Sequence, residues 1–252
     1  MSSLCLAAAA CLATLAFPAA AQAPAPPPEY SNLIGPALRS HPAYDGSKSQ
    51  DADVVPILDY DNGRLFARTV QGVLEGGVHA QLGSGFTIGA QLAYEEGRKA
   101  SDSSFLRERN VADLGVGASY GVLAEWETKL GAAPVLLLAR VRQQMRSDRG
   151  AQADLRATVG VYRNGPFQAG IFGQATWANH KSMRTYYGQP GFDASGGLLF
   201  ASAGLLGSYD IDPRWAVIGS IEGRRLQGDA ARSPLAEKKS SYDAVAGLAY
   251  RF

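Results

Sequence analysis

Phe86-Thr87-Ile88-Gly89-Ala90-Gln91-Leu92-Ala93-Tyr94 alternates along its whole length. Successive side chains of an extended chain point to opposite sides. Phe86, Ile88, Ala90, Leu92 and Tyr94 therefore share one face, and Thr87, Gly89, Gln91 and Ala93 share the other. Aromatic residues close both ends of the apolar face. In a soluble sandwich that face would point to a shared core. An aliphatic middle flanked by aromatics fits a lipid-facing band with its two interfacial girdles better.

The same design recurs elsewhere. Phe167, Ala169, Ile171, Ala175 and Trp177 oppose Gln168, Gln174 and Thr176, and Leu155, Ala157, Val159 and Val161 oppose Arg156, Thr158 and Gly160. Outside the N-terminal segment no apolar run reaches the length of about 18 residues that a spanning helix needs, whereas ten-residue alternating segments suffice for a tilted strand. The 29 glycines weaken ordinary strands but suit a small barrel, where strands curve and inward side chains crowd. The pattern predicts an all-β fold, a single transmembrane antiparallel barrel. Its strands are expected at 30–38, 53–60, 64–70, 73–82, 85–94, 112–125, 128–142, 154–162, 167–178, 198–209, 215–226 and 242–252. That makes twelve, or ten if the pair around Val70 to Val73 merges.

Connection lengths alternate as an outer-membrane barrel requires. Asp61-Asn62-Gly63, Gly83-Ser84, Arg163 to Pro166 and Asp210 to Arg214 are tight turns built from turn formers. Arg39 to Ala52, Glu95 to Val111, Gln143 to Ala153, Asn179 to Gly197 and Gln227 to Ser241 are long and polar. Short turns then face the periplasm and long loops the exterior. Only the connection near Gly72 is shorter than this scheme expects.

The N-terminus reads as a secretory signal, residues 1–21, with an apolar run from Leu4 to Ala16 followed by Ala19-Ala20-Ala21. Cleavage after Ala21 is preferred to cleavage after Ala23, which would put Pro24 beside the scissile bond. Met1-Ser2-Ser3 lacks the usual basic residue, which leaves the true start codon open. A Pro-rich spacer, 22–29, leads to the barrel, 30–252. Both cysteines, Cys5 and Cys11, fall in the signal, so the mature chain is expected to have no thiol and no disulfide. Acylation of Cys11 is disfavoured because Ala8-Ala9-Ala10 lacks the large apolar residue of a lipoprotein signal. A formal net charge of +1 gives no basic surface for nucleic acid.

The last strand carries a further signal. Gly247, Tyr250 and the terminal Phe252 have the spacing of the insertion signal that the barrel assembly machinery reads on outer-membrane proteins. With Pro42-Ala43-Tyr44-Asp45-Gly46-Ser47, Val55-Pro56-Ile57-Leu58-Asp59-Tyr60, Met183-Arg184-Thr185-Tyr186-Tyr187-Gly188 and Arg225 to Leu235, these residues occur in the order and spacing of one family. The chain resembles the MipA/OmpV family. The Met-x-Thr-Tyr-aromatic-Gly loop is matched by Met183, Thr185, Tyr186, Tyr187 and Gly188, and the Gly-Asp-Ala-x-x-Ser-Pro loop by Gly228, Asp229, Ser233 and Pro234.

The resemblance implies an integral outer-membrane protein. For the founding member it implies a scaffold that joins the lytic transglycosylase MltA to a murein synthase. Murein enzymes work in the periplasm, whereas both motif loops are predicted outside the cell. A scaffold would therefore use short turns such as Asp210-Ile211-Asp212-Pro213-Arg214, or the N-terminal segment. The motif loops also have a plain reading as turn and packing elements.

The rival function is a narrow channel. Arg156, Gln168, Gln174, Glu222 and Arg224 fall on the inward face and could line a polar lumen, or could form a plug of interlocked charges. Twelve strands make too narrow a barrel for a general porin. Adhesion and envelope stress are the remaining readings. Glu95, Glu96, Arg98, Lys99, Arg107, Glu108 and Arg109 would let one outer loop touch lipopolysaccharide, or would simply be solvated. No catalytic residue, metal site or cofactor is expected. His180-Lys181-Ser182 would bring imidazole beside hydroxyl on a strand but falls in a long loop, and His41, His79 and His180 show no ligand spacing.

Overall fold

The computed structural model describes residues 32–70 and 73–252. The signal segment, the Pro-rich spacer and the cleavage site lie outside the described residues. Twelve strands form a closed antiparallel barrel in which each pairs with its sequence neighbours and the first pairs with the last. They are β1 (Leu33–Pro42), β2 (Gln50–Asp61), β3 (Leu65–Val70), β4 (Val73–Gly83), β5 (Phe86–Glu95), β6 (Gly117–Leu130), β7 (Ala133–Gln144), β8 (Ala151–Asn164), β9 (Phe167–Ala178), β10 (Gly197–Asp210), β11 (Trp215–Leu226) and β12 (Ser240–Arg251). The β3–β4 pair does not merge: it is a tight hairpin with Val70 opposite Val73.

Several boundaries differ from the sequence reading, most of all those of β6 and β7. The β6–β7 turn lies at 131–132, not near Trp126, because Gly131 takes a left-handed φ of 62° that closes a tight turn there. Residues 112–116, expected in a strand, belong to the preceding loop, where Leu114 pairs with Arg98.

The alternation of each strand sorts its residues by face. Val54, Leu92, Val122, Leu155, Ile171, Leu205 and Ile221 point outward and stay exposed, as a lipid-facing wall requires. Two aromatic rings bound this wall. Phe86, Trp126, Tyr162, Phe167, Tyr209 and Trp215 surround the short-turn end, and Tyr94, Tyr120, Trp177 and Tyr242 the long-loop end. From Phe167 to Trp177 the strand advances roughly 33 Å. At the usual tilt that is about 25 Å along the barrel axis, the height of an outer-membrane apolar band.

The five connections at 62–64, 84–85, 131–132, 165–166 and 211–214 share one end with Leu33 and Phe252. The loops 43–49, 96–116, 145–150, 179–196 and 227–239 share the other. These loops are folded. The second contains helix α1 (Ser104–Glu108) and the fourth helix α2 (His180–Tyr187), capped by the Asn179 side chain on the Ser182 N–H at 3.0 Å. Neither helix is long and apolar enough to cross a membrane.

Closure of β12 on β1 depends on Gly247, which lies opposite Ala37. A Cβ there would press into the Pro36 carbonyl oxygen and the Ala37 side chain, so only glycine lets the two strands approach.

Candidate functional site

The inward faces place charged side chains where lipid cannot reach them, and those charges meet across the lumen. Glu75 on β4 is 2% exposed and accepts from Arg140 Nη1 of β7 at 2.6 Å, Arg68 Nε of β3 at 2.8 Å and Gln91 Nε2 of β5 at 3.1 Å. Arg140 Nε also donates to Asp154 of β8 at 2.8 Å, and Asp154 accepts from Thr176 Oγ1 of β9 at 2.8 Å and from Arg142 Nη2 at 3.3 Å. Arg142 Nη1 reaches Glu95 at 2.9 Å, and Arg68 Nη1 reaches Glu125 at 2.6 Å. Three guanidiniums and four carboxylates thus form one lattice from β3 to β9. Burying any of these charges alone would be costly; paired and hydrogen-bonded, each is tolerated. Phe66, Leu123 and Leu138 pack together on the same inner faces.

From β8 to β11 the inward faces continue with cations on rings: Arg156 lies over the Phe172 ring at 3.7 Å and Arg224 over Phe200 at 4.3 Å. Arg224 also binds Asp45 of the first outer loop at 2.9 Å and approaches Glu222 at 3.6 Å. Gln174 Nε2 donates to Thr176 Oγ1 at 3.1 Å. The sequence-predicted lumen residues Arg156, Gln174, Glu222 and Arg224 thus lie on β8, β9 and β11, beside the lattice. Gln168 is also inward, nearer the short turns and half-buried.

Over the outer mouth the loops make a packed cap. Met183 and Tyr187 of α2 join Ala194, Leu199, Phe200, Leu226 and Ala230 in one apolar cluster, and Tyr44, Leu106, Val111 and Leu235 form a second. Hydrogen bonds tie them together. Ser233 Oγ donates to the Tyr187 carbonyl at 2.6 Å and accepts from the Leu235 N–H at 3.1 Å, while Tyr44 OH donates to the Leu235 carbonyl at 3.1 Å. Arg98 Nη1 donates to the Tyr186 carbonyl at 2.7 Å, and the Ser195 N–H to Asp229 at 2.8 Å. Burial raises the Tyr187 and Tyr44 hydroxyls above the ordinary tyrosine range and lowers the Arg98 guanidinium. The Asp229 carboxyl is held below the usual range by the Ser195 N–H and by Arg232.

A family model described as MltA-interacting protein MipA matches residues 34–252, the whole barrel and its cap. The chain belongs to the MipA family. It is an outer-membrane β-barrel. Among solved structures it is similar to the NanC porin, 12% identical over 88% of this chain and 100% of that one, with a TM-score of 0.49. A bacterial polysaccharide outer membrane secretin is 8% identical over 88% and 98%, with a TM-score of 0.48. An outer membrane channel from Pseudomonas putida F1 is 13% identical over 91% and 100%, with a TM-score of 0.46. At these identities nothing about activity passes from them to this chain. Among curated proteins no match was found.

In this MipA barrel the motif loops are largely internal structure. Met183, Tyr187 and Ser233 are buried in the cap. Thr185 Oγ1 donates to the Asp148 carbonyl at 3.2 Å, Tyr186 offers its carbonyl to Arg98, and the Gly188 N–H closes α2 on the Arg184 carbonyl at 2.9 Å. Gly228 takes a φ of 49° where the loop leaves β11, Asp229 anchors Ser195, and Pro234 faces solvent. Tyr250 packs edge-on against Trp215 at 5.1 Å on the outer wall, and the Phe252 N–H bonds the Asn32 carbonyl at 3.0 Å.

The charged loop after β5 divides. Glu95, Glu96 and Arg98 serve internal pairs, with Arg142, Arg39 and Tyr186 respectively. Lys99, Arg107, Glu108 and Arg109 face outward. His180 and Ser182 sit on a helix, where residues two apart point to opposite sides. The imidazole faces Asp193 at 3.7 Å, and the hydroxyl is buried against Gln152 at 3.4 Å. Sequence reasoning missed Glu75, Arg140 and Asp154. Their only local signal was a charged residue at an inward strand position.

Proposed function

We propose that this barrel is an outer-membrane adaptor that holds a lytic transglycosylase of the MltA kind, and with it a murein synthase, against the inner side of the outer membrane. Membership of the MipA family is the observation that carries this reading. The structure bears on which surface would serve. The outer mouth carries its own cap and ion pairs join the inward faces from β3 to β8, so a periplasmic partner would meet the short-turn rim. There Asp212 folds the 211–214 turn through the Arg214 and Trp215 N–H groups, and Arg251 of β12 reaches Asp210 at 2.7 Å. Those hydrogen bonds hold the turn in one conformation, as a docking platform needs.

The rest of the reading is that residues 1–21 are a signal removed on export, that the barrel assembly machinery inserts the mature chain through its last strand, and that the protein performs no catalysis itself. Outward Lys99, Arg107 and Arg109 meet lipopolysaccharide phosphates at the outer surface. The test is an affinity pull-down from native outer membranes in mild detergent, with an unrelated barrel as control. Retention of a lytic transglycosylase, lost when Asp210–Arg214 is replaced by a neutral turn, supports the adaptor. Repeated absence of any murein enzyme rules it out.

The second reading, a narrow conduit, is favoured by the polar wall of Arg156, Gln174 and Arg224. Conductance in planar bilayers, changed by Arg156→Ala, would support it.

A further inference from the structure

Most buried guanidiniums of this barrel hold carboxylates. Arg39 binds Asp53 and Glu96, Arg140 binds Glu75 and Asp154, and Arg142 binds Glu95 and Asp154. Arg98 and Arg149 are as deeply buried, at 7% and 3% exposure, yet among the described residues neither has a carboxylate within ion-pair distance. Each binds one backbone carbonyl instead. Arg98 Nη1 donates to Tyr186 at 2.7 Å and Arg149 Nη1 to Gly115 at 2.5 Å. Arg98 Nε is shielded from solvent and unpartnered, and Nη2 of Arg98 and Nε and Nη2 of Arg149 have no protein acceptor among the described residues. A guanidinium carries five N–H donors and keeps its proton, so a buried one depends on an anion to offset its desolvation.

The cap brings the two together. The Arg98 and Leu114 backbones exchange hydrogen bonds at 2.7 Å, and Gly115, the next residue, holds Arg149. From the other side, Thr185 Oγ1 binds the carbonyl of Asp148, the residue before Arg149, and the Tyr186 carbonyl takes Arg98. Tyr186 of α2 thus lies against both. Burial raises its hydroxyl above the ordinary tyrosine range and Glu95 adds to this, while Arg149, Arg98 and Arg142 oppose it. Glu95 is the one carboxylate in that set, and its Oε1 is taken by Arg142 Nη1 at 2.9 Å and Ser119 Oγ at 2.5 Å. Two positive charges are left over. Gln144 Oε1, also buried without a partner, flanks Gly117 together with Arg149 Nη1, and with the amide turned over it adds a donor there.

We propose that Arg98, Arg149 and the Tyr186 hydroxyl form a binding site under the outer cap for a compact oxyanion, the carboxylate or phosphate group of a small solute. Guanidiniums match both groups through paired N–H donors, and the phenol supplies a further one. Water is the competing occupant, and it leaves both charges without a counterion. The site gives Tyr186 of the Met183–Gly188 motif a task besides packing. The inference does not depend on the adaptor reading.

The test uses the mature protein in nanodiscs, purified with chloride as the only anion and labelled with carbon-13 at the tyrosine ζ position. Loss of one resonance in Tyr186→Phe assigns the Tyr186 signal. Sodium acetate and sodium phosphate are titrated separately against sodium chloride at matched ionic strength. The Tyr186 signal is expected to move along a saturating curve with at least one oxyanion, and the one that acts at lower concentration identifies the group. Arg149→Gln is expected to weaken that response about tenfold, and Arg149→Lys to restore part of it. Unmoved Tyr44 and Tyr187 signals show that the variant caps remain folded. The wild-type titration decides by itself where a variant cap loosens. No saturating shift in the wild type, an equal shift with chloride, or a response unchanged by Arg149→Gln in a folded cap overturns the site.

Discussion

Arg140 and Glu75 stand on strands three apart and meet across the lumen at 2.6 Å, both almost fully buried. Neither is solvated, so each depends on the other. Glu75→Ala leaves Arg140 and Arg68 short of a carboxylate inside the barrel, and the expected loss is about 3–5 kcal/mol. Urea unfolding in detergent, followed by tryptophan fluorescence, measures it. A loss below that of an exposed pair such as Arg146–Asp148 would mean that water reaches the lattice.

Ser233 joins the two motif loops through one hydroxyl. Ser233→Ala removes the donor to Tyr187 and the acceptor for Leu235, with an expected cost of about 1–3 kcal/mol felt in the cap. Trypsin applied from outside is expected to cut faster at Arg184 and Lys238, while the unfolding midpoint of the barrel stays unchanged. Pro234→Ala, at an exposed position, is expected to leave cleavage as it is.

Gly247→Val is expected to prevent closure of β12 on β1, since the new side chain would enter the Pro36 carbonyl. Removal of Phe252 is expected to act differently. It lowers the amount of protein that reaches the outer membrane and leaves the unfolding midpoint of the inserted fraction unchanged. Heat-modifiable mobility of membrane fractions separates the two effects.

The Asp229 carboxyl is held low by the Ser195 N–H and Arg232, so its anchoring of the loop is complete above the unfolded carboxylate value of about 4. It is lost as pH falls through the lower folded value. Hydrogen exchange at the Ser195 amide is expected to remain slow from neutral pH to below the ordinary carboxylate range and then to quicken beyond the intrinsic pH trend. Asp229→Asn removes that inflection.

Strand number, the outward face and the end at which each turn lies were legible in the sequence because they depend on neighbours. Period-two alternation places Ile88 and Ile171 outward whatever their surroundings, turn formers such as Asn62-Gly63 bend the chain by themselves, and the motifs identify the family. The β6–β7 turn was misplaced because Trp126-Glu127 and Gly131-Ala132 both interrupt an apolar run, and only the pairing of Phe86 with Trp126 settles which one bends. Which charge meets which was not legible. Arg140 could have bound any inward carboxylate; the stagger of closed strands brings Glu75 and Asp154 to it. The same stagger lets loops far apart in sequence bury Tyr44 with Leu235 and Met183 with Ala230. Local pattern determined the wall, and closure of the barrel, a long-range constraint carried by no single segment, decided the lumen and the cap.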